Sequence, residues 1–234
     1  MPSLRQLLVR HRLCLVIDTC TTRAEATLWR SAACETGLPP ALATAAIDGE
    51  ASSALLAAVA QVLASAGGLR IRDLDAVAFC DGPGSVLGIR LAAATLRAWR
   101  AVHPALAIYA FHSLPLLAVA SAKTGVATII ADARRDTWHA ARSTAPHTLL
   151  RIPTTDLATC GTLATPDNFR RWSALPADLV PKTLAYSASA LLADAPDEAF
   201  FSAVSEPDAF LHEQPNYVTW TPRIHQAPGT TAHP

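Results

Sequence analysis

This sequence predicts an α/β chain folded as two lobes on one repeated plan, and three observations lead there. The first is a pair of like units. Leu13-Cys14-Leu15-Val16-Ile17 runs into Asp18, turns over residues 19–23 and resumes as a strand over 24–29. Residues 126–131 likewise run into Asp132, turn through Arg134, Arg135 and Asp136, and resume over 137–141. The two aspartates lie 114 positions apart in a chain of 234 residues, the spacing of a duplicated unit. The second observation is an apolar strand over 74–80 that enters the tight turn Asp81-Gly82-Pro83-Gly84-Ser85 and then a helix over 86–102, a strand–turn–helix sequence of α/β type. The third is composition: 51% of residues are hydrophobic, enough to fill a sizeable core.

The remaining elements follow in chain order. Residues 41–47 form a third strand beside the first hairpin. Residues 50–66 form a helix, because Leu55, Leu56, Val59, Val62 and Leu63 fall at helical spacing and Gly67-Gly68 ends the pattern. Pro104 closes the helix over 86–102. Beyond residue 145 the periodicity weakens: a helix is expected over 185–195, connections at both Pro-rich ends of 154–181, and disorder beyond residue 228. The lobes divide into residues 1–110 and 111–234. The charge-free stretch 51–69 contains Ser52, Ser53, Gln61, Ser65 and the Gly67-Gly68 break, so it reads as a buried or partner-facing helix rather than a membrane span. The apolar runs near the N-terminus are too short for a secretory h-region.

Charge excludes one class of function. Nineteen basic and nineteen acidic residues give net zero, without the basic field that grips phosphate backbones. Cys14, Cys20, Cys34, Cys80 and Cys160 form no C-x-x-C pair and are odd in number. That pattern points to reduced thiols in the cytoplasm rather than a disulfide framework. No histidine lies between His11 and His103, and no H-x-x-x-H or H-E-x-x-H occurs, so no local metal motif is present and no metal is expected. A G-x-S-x-G elbow is absent as well.

Two segments carry candidate site chemistry. Asp18-Thr19, at the end of a strand, can hold a hydrated cation and approach a phosphate, or can simply be a turn. Gly82, Pro83, Gly84 and Ser85 form a loop that admits close backbone approach, with Ser85 capping the next helix. The alternative is a rigid turn that starts the helix, and no Walker lysine follows it. On the helix after Ser85, Arg90, Arg97 and Arg100 read as a solvated charged side. The two helices also offer a face with little polar cover: Leu55, Ala58, Val59, Val62 and Leu63 on one, Ile89, Ala92, Ala93 and Leu96 on the other. That combination reads as a contact surface for another protein. Glutamate at Ala58 or Ala93 is therefore expected to break association and leave the monomer folded.

Four segments, in order over residues 13–220, resemble the TsaB (YeaZ) family. They are Leu15-Val16-Ile17-Asp18-Thr19, then Leu74-Asp75-Ala76-Val77-Ala78-Phe79 with Gly82-Pro83-Gly84-Ser85 and Gly88-Ile89-Arg90, then Ile130-Ala131-Asp132-Ala133-Arg134-Arg135, and Pro215-Asn216-Tyr217-Val218. The chain departs from the family at Val86-Leu87, which replaces Phe-Thr, at Thr19-Cys20, which replaces a hydroxyl pair, and at Asp81, where the family often carries Arg. Residues 143–210 match loosely.

The resemblance implies an actin-like (ASKHA, ribonuclease H-like) duplicated fold with mixed β-sheets flanked by helices. It implies a non-catalytic scaffold that binds a TsaD-type catalytic subunit and works with a TsaE-type ATPase. That complex transfers threonylcarbamoyl to the tRNA adenosine beside the anticodon. It further implies no tightly bound cofactor, with ATP used by the partner subunits, only indirect contact with tRNA, no membrane, and a homodimer when the chain is alone. Asp18, Thr19, Gly82, Pro83, Gly84, Ser85, Gly88, Arg90 and Asp132 would form the nucleotide-like loop region. The family's catalytic member carries a metal-binding histidine pair on the helix corresponding to 50–66, which has none here. Two other readings stay open: an actin-like ATP-dependent kinase of small molecules, and a metallopeptidase-like glycoprotease.

Overall fold

In the computed structural model, residues 1–31 and 38–212 are described. The chain opens with helix α1 (Leu4–Arg10), whose Ser3 and Gln6 form a reciprocal capping box. Strands β1 (Leu13–Asp18), β2 (Arg23–Arg30) and β3 (Ala43–Asp48) follow, then helix α2 (Ala51–Ser65), strand β4 (Ala76–Gly82), helix α3 (Val86–Val102), strand β5 (Ala107–His112) and helix α4 (Ser113–Ser121). The second half contributes β6 (Thr128–Asp132), β7 (Thr137–Arg142), β8 (Ala145–Pro153), β9 (Leu163–Pro166), β10 (Lys182–Leu184), α5 (Ala188–Asp194) and the two-residue β11 (Ser202–Ala203).

Two mixed sheets result. The first has the order β11-β5-β4-β1-β2-β3 and the second β10-β9-β6-β7-β8. Aligning β1 with β6 superposes five strands of each: an antiparallel meander on one side of the pair, parallel strands on the other. The repeat extends to a single bond. Asp18 accepts the amide of Cys20 at 2.6 Å and Asp132 accepts the amide of Arg134 at 2.6 Å, so each strand ends in the same aspartate-stabilised turn. The duplicated plan expected from the 114-residue spacing is the plan observed.

Every residue of β1 is buried because both faces of its sheet are covered. Helices α2 and α3 cover one face with a core of Leu15, Ile17, Leu28, Leu55, Val59, Phe79 and Leu96. Helices α1 and α5 cover the other with Leu4, Leu7, Val16, Trp29, Leu192 and Phe201. The continuous apolar run of a doubly covered strand is the physical reason 13–17 shows no alternation. Helix α4 lies between the lobes: Leu116 packs with the first sheet, while Leu114, Leu117 and Ala118 pack with the second.

Several expectations need amendment. Residue 110 falls inside β5, which belongs to the first sheet, and α5 and β11 return to the first lobe, where Ser202 pairs with Ala110. Residues 145–153, where the periodicity weakens, form the edge strand β8, and β5 and α4 were not among the expected elements. Arg97 is exposed and Arg100 partly buried, and they are more than a solvated face. They donate to the backbone of the returning segment, at Pro207, Val204 and Ser205. Among the described residues no helix is long and apolar enough to cross a membrane. The closing motif Pro215-Asn216-Tyr217-Val218, the tail beyond 228 and Cys34 lie outside the described residues.

Candidate functional site

The Gly82–Ser85 loop packs on the turn that ends β1, and this contact dictates its glycines. A Cβ on Gly84 would lie 2.5 Å from Cys20 Cβ and 2.6 Å from Cys20 O. A Cβ on Gly88 would lie 2.3 Å from Thr19 O. Neither distance is compatible with a side chain, so the loop and the first turn of α3 can approach β1 only as glycine. The Ser85 amide then donates to Cys20 O at 2.8 Å, and the Ser85 hydroxyl accepts the Gly88 amide at 3.4 Å, capping α3. Pro83 follows a cis peptide bond, and its carbonyl accepts the Ser113 hydroxyl at 2.6 Å. The loop spends its hydrogen bonds inside the fold.

Asp18, Thr19, Gly84, Ser85 and Gly88 are thus brought together as the sequence suggested. Asp18 is 3% exposed. Besides the Cys20 amide it accepts the Tyr186 hydroxyl at 2.5 Å, a bond that joins the two halves of the chain. Burial dominates its electrostatics and pushes its carboxyl up to about 6, although the Tyr186 and Cys20 donors pull the other way. The Cys20 and Cys80 sulfurs lie 3.1 Å apart beside it, and burial pushes the Cys80 thiol up to about 11.

Asp132 occupies the equivalent place in the second lobe with the opposite electrostatics. Burial would raise its carboxyl, but it accepts amides of Ser173, Arg134 and Trp172, and together these hold it below the usual carboxylate range. It serves there as an acceptor for the 172–173 backbone. Between the lobes, Gly84, Ser85, Val86 and Leu87 face Asp132, Arg134, His139, Arg170 and Trp172 across a cleft of about 370 Å³. Arg134 also stacks over the Trp172 ring at 5.6 Å. His139 lines this cleft with a buried Nδ1 that has no hydrogen-bond partner among the described residues, and burial lowers its imidazole to about 4. Arg90 is exposed on α3 and does not line the cleft.

Sequence reading missed three groups. Tyr186 is 168 positions from Asp18, and no local pattern announces such a bond. Asp81 and His112, 2.6 Å apart at the ends of neighbouring strands, form a hydrogen-bonded pair below the loop. Burial pushes the Asp81 carboxyl up and the His112 bond draws it part of the way back. Phe210 packs against His112, ring centroids 4.7 Å apart, and donates its amide to Asp81 O. Parallel pairing of β4 with β5 sets His112 opposite Gly82, next to Asp81 at a register shift, and β5 was not among the strands expected from the sequence.

The partner-facing residues require correction. Leu55, Ala58, Val59, Val62, Leu63, Ile89, Ala92, Ala93 and Leu96 are all 7% exposed or less. All but Ile89 pack in the core under α2 and α3, and Ile89 packs on the opposite side of the sheet. The periodic stripe found in the sequence is therefore the core-facing stripe. Glutamate at Ala58 or Ala93 would unfold the chain rather than free a monomer. The outer face is a different set, with Leu56, Ala57, Ala60 and Ala64 on α2 and Val86, Leu87, Ala94, Ala98 and Val102 on α3 exposed. Leu56 is 53% and Leu87 77% exposed.

Comparison with known proteins adds the family. Residues 39–159, more than half of the chain, match the model of TsaD, tRNA N6-adenosine threonylcarbamoyltransferase. No curated protein matches. Among solved structures, YeaZ from Pseudomonas aeruginosa is 22% identical, over 78% of this chain and 91% of that chain, with a TM-score of 0.51. A second, described as an uncharacterized protein with similarity to peptidase YEAZ from Pseudomonas aeruginosa, is 22% identical over 78% of this chain and 89% of that one, with a TM-score of 0.52. With its duplicated α/β lobes and that match, the chain belongs to the TsaD family, tRNA N6-adenosine threonylcarbamoyltransferase, and has the actin-like fold of the YeaZ structures.

Proposed function

We propose that the chain is a non-catalytic scaffold of the tRNA threonylcarbamoyl machinery and binds a TsaD-type catalytic subunit through the outer face of α2 and α3. The observation that carries this reading is the composition of that face. Helix α2 has no charged residue, and its solvent side is alanine, serine, Gln61 and the half-exposed Leu56. Helix α3 continues the surface with Val86, Leu87, Ala94 and Ala98, alongside the exposed Arg90 and Arg97. Small side chains let a second helix pair approach closely, and apolar area removed from water drives association. An exposed apolar helix pair of this kind is poor cover for a solitary monomer.

A scaffold role also agrees with the site. Asp132 is committed to the 172–173 backbone, and Ser85 is committed to Cys20 and to capping α3. Helix α2 has no histidine with which to bind a catalytic metal. In this reading a TsaE-type ATPase consumes the ATP, tRNA is met through the catalytic partner, and the net-zero chain works in the cytoplasm. Alone, it pairs with a second copy through the same face.

Co-purification of the tagged chain with the TsaD-type subunit of its own genome tests the reading. A stoichiometric complex, with negligible ATP turnover by the isolated chain, is expected. Micromolar ATP binding with turnover by the isolated chain would instead favour the small-molecule kinase, and metal-dependent peptide hydrolysis the glycoprotease.

A further inference from the structure

Below the Gly84 loop three donors converge from two strands. The carboxylate of Asp18 and the sulfurs of Cys20 and Cys80 all lie within 4.8 Å of one another, and all three residues are buried. The cysteines are 60 positions apart, which is why no C-x-x-C spacing reveals them. Both are free thiols.

The surroundings favour a cation. Asp81 acts on both sulfurs and Glu25 on Asp18, each with its negative charge. Asp18 is oriented as a ligating carboxylate is: the Cys20 amide and the Tyr186 hydroxyl each hold one of its oxygens, leaving lone pairs on both. Thr19, between Asp18 and Cys20, is 2% exposed, and its hydroxyl has no hydrogen-bond partner among the described residues. Its side chain lies toward Gly88, where a Cβ would sit 3.2 Å from the Thr19 Cβ.

We propose that Asp18, Cys20 and Cys80 supply three ligands of a structural zinc site, its fourth position filled by water, that ties the end of β1 to the end of β4. Two thiolates and a carboxylate suit zinc, a borderline-soft ion, and not the hard cations that prefer oxygen alone. Zinc–sulfur bonds are about 2.3 Å. The sulfurs, 3.1 Å apart, reach tetrahedral separation by parting roughly 0.7 Å. On binding, each thiol releases its proton to solvent as its Zn–S bond forms, and a carboxylate oxygen takes the third position. The site is walled by Gly84, whose missing side chain leaves Cys20 against the loop. Its role is to hold the turn, not to activate water.

The test is metal content and a spectroscopic signature. The full chain is purified under reducing conditions with zinc, then dialysed, and zinc is counted by mass spectrometry. About one zinc per chain is expected, with a thiolate-to-metal charge-transfer band when cobalt(II) replaces it. The double variant Cys20→Ser with Cys80→Ser should lose at least tenfold of the bound metal and the band, whereas Cys160→Ser should keep both. A reduced wild-type chain that retains less than a tenth of an equivalent overturns the proposal, whatever the variants do. So does a double variant that retains zinc, or a wild-type cobalt complex without the thiolate band.

Discussion

At the scale of single residues, contacts too close for any side chain explain the glycines better than phosphate chemistry does. Gly84 and Gly88 are glycine because Cys20 and Thr19 occupy the space a Cβ would need. Gly84→Val should therefore lower stability by about 2 to 3 kcal/mol, read as a fall in melting temperature. An unchanged melting temperature would return the loop to a ligand-binding role. His139 supplies a pH signature. Its folded imidazole titrates near 4 against an ordinary value of 6.5, so the unfolded chain takes up the proton first as pH falls. Stability from this group is complete above pH 6.5 and is lost on the way down to about 4. Urea unfolding of wild type and His139→Asn should show their stability difference shrinking by about 3 kcal/mol over that window. Taking the difference separates His139 from Asp18, whose raised carboxyl acts in the opposite sense. A difference independent of pH would contradict the burial argument. What was legible here was the chemistry of the motif, the Asp18 turn and the glycine loop. Tyr186, His112 and the Cys20–Cys80 pair were not, because their meeting depends on pairing between distant strands.

At the scale of elements, periodicity located α2 and α3 to within a residue or two and then misassigned their faces. A helix with alanine all round gives no contrast between inside and outside, and the larger residues Leu55, Val59, Val62 and Leu63 were taken for a docking stripe. They are the core. The correction makes a paired prediction. Ala58→Glu or Ala93→Glu places a carboxylate at a site with no exposure and should cost about 4 kcal/mol or more, giving little folded protein by circular dichroism. Ala57→Glu or Ala94→Glu, on the exposed side, should change melting temperature by no more than a degree or two. If the buried pair were tolerated and the exposed pair were not, the assignment of faces would be reversed. Helix α4 was invisible for a related reason. Seven of its nine residues are buried between the lobes, so it shows no polar stripe. Strand β8 alternates weakly because it is an edge strand with no buried position.

At the scale of the whole molecule, the duplication is the part the sequence expressed most plainly, since the same aspartate turn closes β1 and β6. The halves have since diverged. Asp18 is sealed under the loop with two thiols, while Asp132 anchors a surface segment beside the cleft. The chain's last described segment, held by Arg97 and Arg100, returns to the first sheet and fixes α3 from behind. The proposed docking face is thus carried on helices packed against the first sheet. Light scattering of the chain with a TsaD-type subunit, wild type against Ala57→Glu, Ala60→Glu and Ala94→Glu, tests the proposed docking face most directly. Wild type should form the complex at micromolar concentration, and the three folded variants should elute as monomers beside unbound partner. Variants that assemble like wild type, or a wild-type chain that stays apart from the partner, would contradict it.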